Sequence, residues 1–137
     1  MLNIALPSSG PLYQSTIDFF NSAGIPIKRS SLRAYSGTTT FDKNIKIIFQ
    51  RQSDVPKSIS NKIADIGVLG LDRYLENIQN NKTKTLIEKL GYGNCDLVIA
   101  VPQSWNDINN MSDLVAYSNT NKLRIATKYP IQTQNYL

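Results

Sequence analysis

Residues 2–24 read LNIALPSSGPLYQSTIDFFNSAG, and the order of residue types in this stretch decides the architecture. Leu2 to Leu6 form an apolar run too short for a helix and suited to a buried strand. A turn of small residues follows, from Pro7 to Gly10. Pro11 then falls in the first turn of a helix, where its missing N–H leaves nothing unsatisfied. The helix continues through LYQSTIDFFNSA with Leu12, Ile17 and Phe20 near one face, and Gly24 is its expected stop. Strand, turn and helix in this order open an α/β protein. Ligands of such sheets settle beyond the carboxyl ends of the strands, and the N–H groups that begin the helix offer an anion site. Residues 5–16 contain no Lys or Arg, however. The plain alternative, an ordinary strand-to-helix connection, stays open on these residues alone.

The pattern repeats downstream. IKIIFQ (45–50) reads as a second strand, and SDVPKSISNKIA (53–64) as a helix with Ser53 or Asp54 as its cap. ADIGVLGL (64–71) reads as a third strand, and DRYLENI (72–78) as a short helix begun by Asp72. Three more strand-like runs, 85–90, 96–101 and 122–127, surround a short helical stretch, MSDLVAYS. The expected class is α/β, with mostly parallel sheets and flanking helices. A change of pattern near residue 91 separates a first lobe, 1–90, from the beginning of a second, 91–137. The closing KYPIQTQNYL starts a new segment, as expected of an N-terminal portion of a longer chain.

Composition narrows the chemistry. The chain has 137 residues, 41% hydrophobic and 18% charged, which suits a globular protein. Its formal net charge of +5 points to an anionic partner. The basic residues are scattered, so neither a nucleic-acid tail nor a nucleic-acid partner is expected. No apolar run approaches the ~20 residues that span a bilayer, so no membrane partner is expected either. The N-terminus has no basic segment of the secretory type. One cysteine, Cys95, excludes an internal disulfide and fits a reducing compartment, the cytoplasm. The absence of His rules out a Ser-His-Asp triad, a Cys-His pair and a His-rich metal site.

Several residues then stand out by position. Arg51 ends a strand and could clamp a phosphate with its guanidinium fork, or could simply be solvated. Arg33 in SSLRAY has the same two readings. Asp72 is either a helix-starting carboxylate or a ligand group, and Thr127 and Tyr129 in ATKYP either line a pocket or end a strand.

Taken in order, IALPSSGPLY, SSLRAY, FQRQSDVP, ADIGVLGLD, LGYGNCDLVIAVP and LRIATKYP resemble the catalytic chain of the ATP phosphoribosyltransferase family, the first enzyme of histidine biosynthesis. The resemblance implies a two-lobed fold like that of periplasmic binding proteins, here with the second lobe incomplete. It implies a reaction between ATP, through N1 of its adenine, and 5-phosphoribosyl 1-pyrophosphate, with Mg2+ carried on the pyrophosphate and no metal held by the protein. It further implies an oligomer when the chain is complete, and in some members a regulatory subunit resembling histidyl-tRNA synthetase. Carried over by position, Arg33 and Arg51 face the pyrophosphate as the catalytic arginines. Ser8, Ser9, Gly10 and Leu12 form the opening substrate loop, Gly70 and Asp72 the turn near the nucleotide, and Thr127 and Tyr129 the cleft-facing segment of the second lobe. The family typically has a Lys at the place of Ser8 or Ser9 and an Arg at Pro11. Losing such a charged contact costs ~1.5–3 kcal/mol, which leaves a catalytically inactive nucleotide-binding module as the alternative.

Overall fold

The computed structural model describes residues 1–77 and 83–137. It divides into two compact units, residues 1–94 with 129–137, and residues 95–128.

The first unit is built on β1 (Leu2–Pro7), α1 (Pro11–Ser22), β2 (Ile27–Lys28), β3 (Ser36–Thr39), β4 (Ile45–Gln50), α2 (Val55–Ser60), β5 (Ile66–Gly67) and α3 (Leu71–Asn77). Its sheet has the order β2-β3-β4-β1-β5. The strand read from LNIAL lies inside this sheet, between β4 and β5: Ile4, Ala5, Leu6 and Pro7 are all buried, because both faces are covered. On one face Ile4 and Leu6 pack with Phe20, Ile47, Phe49 and Val68, and on the other Ala5 packs with Val55 and Ala64. α1 ends in a Schellman motif, with Ile25 N–H donating to the Phe20 carbonyl (2.9 Å) and Gly24 N–H to that of Asn21 (3.0 Å). α2 starts with Asp54 at its N-cap and Pro56 in its first turn.

The sheet is mixed, not mostly parallel. β1 runs parallel to β4 and to β5, whereas β3 is antiparallel to both β2 and β4. The cause is the length of the connection between β3 and β4. A tight turn bridges them, in which Phe41 N–H donates to Thr39 Oγ1 (3.1 Å) and Ile45 N–H to the Asp42 carbonyl (3.1 Å). A link this short can only return the chain antiparallel. The third strand is also shorter than 64–71: only Ile66 and Gly67 pair with β1. The helix read over 72–78 is α3, and its last residue, Ile78, lies outside the described residues. Residues 85–90, 96–101 and 122–127 belong to no ladder, contrary to the sequence expectation. Their apolar content met the pattern for a strand, but a strand also needs a hydrogen-bonded neighbour.

The second unit contains α4 (Met111–Thr120). A reciprocal capping box starts it: Asp113 N–H donates to Asn110 Oδ1 (3.1 Å), and Asn110 N–H donates to Asp113 Oδ2 (3.2 Å). Trp105 packs against Tyr117 with ring centroids 4.7 Å apart. The final helix, α5 (Pro130–Tyr136), belongs to the first unit. Among the described residues, no helix is long and apolar enough to cross a membrane.

Candidate functional site

The register of two parallel strands creates the first candidate site. Pro7 lies opposite Gln50, and Ser8 N–H donates to the Gln50 carbonyl (2.7 Å), so the loops after β1 and β4 leave the sheet side by side. Gly10 turns the first loop into α1 with φ +83° and ψ −172°, a conformation open essentially to glycine alone. Pro11 follows as the first helical residue. On the β4 side, Asp54 N–H donates to the Arg51 carbonyl (2.9 Å) and turns the chain into α2. The third wall is the 29–35 loop between β2 and β3, held to the sheet by Phe49 N–H donating to the Tyr35 carbonyl (2.9 Å).

Together these loops enclose a groove of about 640 Å³ lined by Ser8, Ser9, Arg29, Arg33, Gln50 and Arg51 among others. Three arginines and one carboxylate, that of Asp54, line it. The positive excess, the serine hydroxyls and the start of a three-turn helix all suit a multiply charged anion. Arg33 and Arg51 are exposed. Arg29 is partly buried, with Nε donating to the Ala34 carbonyl and Nη1 to the Ser8 carbonyl, each at 2.9 Å.

A second cluster joins α3 to α5. The Gly70 carbonyl accepts the N–H groups of Arg73 and Tyr74, both at 3.0 Å, and so begins α3. A Cβ on Gly70 would meet the carboxylate of Asp72, which would then have to shift. Asp72 sits in the first turn, where a carboxylate is favoured by the helix dipole. It accepts a hydrogen bond from the Tyr129 hydroxyl, and its carbonyl accepts from Gln132 Nε2 (2.7 Å). Arg73 lies 4.8 Å from the Tyr129 ring centroid. Glu76 accepts from the backbone N–H groups of Ile131 (2.9 Å) and Gln132 (3.1 Å), satisfying donors that α5 leaves open at its start.

The family model described as HisG, ATP phosphoribosyltransferase, matches residues 51–137. This chain belongs to the ATP phosphoribosyltransferase family. Among curated relatives, the ATP phosphoribosyltransferase of Bradyrhizobium diazoefficiens is 36% identical, over 92% of this chain and 41% of the relative. That of Methanococcoides burtonii is 35% identical, over 99% of this chain and 44% of the relative. The chain thus spans less than half the length of these relatives. A solved chain from an ATP phosphoribosyltransferase HisG:HisZ complex of Thermotoga maritima is 30% identical, covering 56% of this chain and 35% of that one, with a TM-score of 0.46.

Within this chain the residues singled out from sequence separate into groups. Ser8, Ser9, Arg33 and Arg51 converge on one groove although they come from three loops. Gly10 shapes the first of those loops, and Leu12, half-buried on α1, points its Cδ2 at the Gly93 backbone rather than lining the groove. Gly70, Asp72 and Tyr129 meet at the α3–α5 contact. Thr127 belongs to the other unit and is exposed. Arg29 was not singled out. It is one of many scattered basic residues, and β2, the two-residue strand that delivers Arg29 to the groove, carries no apolar run that would reveal it.

Proposed function

We propose that the protein carrying this chain is an ATP phosphoribosyltransferase acting at the first step of histidine biosynthesis. N1 of the ATP adenine bonds to the ribose of 5-phosphoribosyl 1-pyrophosphate, the ribose–pyrophosphate bond breaks, and phosphoribosyl-ATP and pyrophosphate leave. The observation that carries this reading is the convergence of Ser8, Ser9, Arg33 and Arg51 on one basic groove in a chain of this family. The chemistry asks little of acid–base groups, which suits a chain without His. N1 already offers a lone pair, so the protein contributes by aligning two reactants and by stabilising the leaving charge.

In this proposal Arg33 and Arg51 each clamp pyrophosphate oxygens through a guanidinium fork. The hydroxyls of Ser8 and Ser9 and the N–H groups at the start of α1 complete the cradle, and Mg2+ enters as part of the pyrophosphate substrate. Gly70, Asp72, Thr127 and Tyr129 are assigned to the nucleotide. The same reading includes the two-lobed plan with a boundary near residue 91, a cytoplasmic oligomer, and a regulatory subunit of the histidyl-tRNA-synthetase-like class.

The test is pyrophosphate release by the complete protein, measured with both substrates and with each one omitted. Release that needs ATP and the phosphosugar together is expected. Arg33→Gln and Arg51→Gln are each expected to lower kcat/KM about ten- to hundredfold, the worth of one charge-assisted contact. ATP binding without any release would identify an inactive nucleotide-binding module, and neither binding nor release would overturn the reading altogether.

A further inference from the structure

Arg29 lines the groove, yet its guanidinium is already engaged. It lies 4.0 Å from the Phe49 ring centroid and 5.3 Å from that of Tyr13. Its Nε and Nη1 reach two carbonyls, those of Ala34 and Ser8, at 2.9 Å each. A planar cation stacked on an aromatic face keeps its edge for hydrogen bonds in fixed directions, which an ammonium group cannot reproduce.

The two carbonyls belong to different loops, and each adjoins a groove-lining residue. Ser8 lines the groove itself and precedes Ser9, while Ala34 follows Arg33. Holding the Ser8 carbonyl fixes the peptide plane between Ser8 and Ser9, because that unit is rigid. Holding the Ala34 carbonyl fixes the chain immediately after Arg33. Phe49, the platform under the guanidinium, is buried and sits one residue before Gln50 on β4. One side chain therefore ties the loop after β1, the loop carrying Arg33 and the sheet beneath them. The first of those loops has no basic residue of its own.

We propose that Arg29 is a positioning residue for this groove: it locks the 8–10 and 29–35 loops together so that Ser9 and Arg33 meet one pyrophosphate-type anion, and it supplies from below the positive charge that the 8–10 loop lacks. The proposal rests on the reading of the groove as a pyrophosphate site. Its test is calorimetric titration of the complete protein with inorganic pyrophosphate in the presence of Mg2+, with thermal melting recorded for each variant.

Arg29→Met keeps an unbranched stem over Phe49 and removes both donors and the charge. It is expected to weaken pyrophosphate binding about tenfold or more. Arg29→Lys keeps the charge without the fork and is expected to recover only part of that loss. Arg33→Gln should cost less in the Arg29→Met background than in the wild type, since an unanchored Arg33 has less binding to lose. Wild-type affinity in both Arg29 variants, or an Arg33→Gln cost that is the same in either background, overturns the positioning role while leaving the groove reading intact. A wild-type protein that does not bind pyrophosphate overturns both. If Arg29→Met fails to fold, Arg29→Lys decides: wild-type affinity refutes the proposal, and a loss of about threefold or more supports it.

Discussion

LNIAL (2–6) and LVIAV (97–101) are nearly equal in apolar character, yet they have opposite fates. The first becomes an interior strand, paired on both sides and buried at Ile4, Ala5 and Leu6. The second joins no ladder, and Leu97, Val98 and Ile99 keep 57%, 74% and 44% of their surface exposed. Apolar character creates a demand for burial, but a strand forms only where a neighbour takes up its backbone groups. β1 has such neighbours because the chain comes back to it twice, as β4 after α1 and the β2–β3 pair, and as β5 after α2. The unit of residues 95–128 is ordered by nearer contacts instead: a capping box at Asn110 and Asp113, and the Trp105–Tyr117 stack.

This contrast predicts where a substitution hurts most. Phe49 is 1% exposed and packs in the main core, with Tyr13 tilted against it at 6.1 Å between centroids. Phe49→Ala is expected to destabilise the first unit by about 3–5 kcal/mol, through lost burial plus the cavity left behind. The shift of the urea midpoint measures it. A loss below about 1 kcal/mol would mean that the sheet core is not what holds this unit. The same variant also removes the platform under Arg29.

The contrast also explains what could be read from residue order and what could not. β1, α1, β4 and the start of α2 were legible because each is a compact signal: an apolar run, or a proline and a cap at a helix start. β2 and β3 were not. β3 is SGTT, a polar edge-side strand whose inward positions are Gly37 and Thr39, so nothing in its composition asks for burial. Missing it made the sheet look parallel. The runs at 85–90, 96–101 and 122–127 failed for the opposite reason, showing an apolar pattern where no ladder formed. The site follows the same division. Ser8, Ser9 and Arg51 flank legible strands and fell into the groove with Arg33, whereas Arg29 depends on β2 and on two backbone carbonyls. Both of its hydrogen bonds go to main chain, and the one to Ser8 spans 21 residues, which no residue spacing reports.

In the second unit a smaller and more local effect is expected. Asn110→Ala removes the acceptor for Asp113 N–H and breaks one half of the capping box. The cost should be about 1 kcal/mol, typical of losing an N-cap side chain. Amide hydrogen exchange is the suitable readout, since protection should fall along residues 111–120 while the amides of β1 and β4 keep theirs. Equal loss of protection in β1 and β4 would show that the two units unfold together, and the comparison between them would need redrawing.

The smallest effect tests how firmly residues 91–94 belong to the first unit. Tyr92 packs beside Phe19, with centroids 6.1 Å apart, and its hydroxyl is 3.0 Å from Thr16 Oγ1. Burial raises the Tyr92 phenol above its ordinary value of 10.0, and the hydrogen bond with Thr16, which favours the ionised form, pulls it down only in part. The raised value means that the folded chain keeps a proton which the unfolded chain has lost. The stabilisation is therefore complete below about pH 10 and disappears as the pH climbs through the folded-state value. Tyr92→Phe removes that proton from both states. Urea midpoints of the wild type should fall more steeply than those of Tyr92→Phe above about pH 10, with the other tyrosines and the lysines cancelling because both proteins contain them. Parallel profiles would mean that Tyr92 is as hydrated in the folded protein as in the unfolded one, and that the glycine-flanked 91–93 turn does not hold against α1.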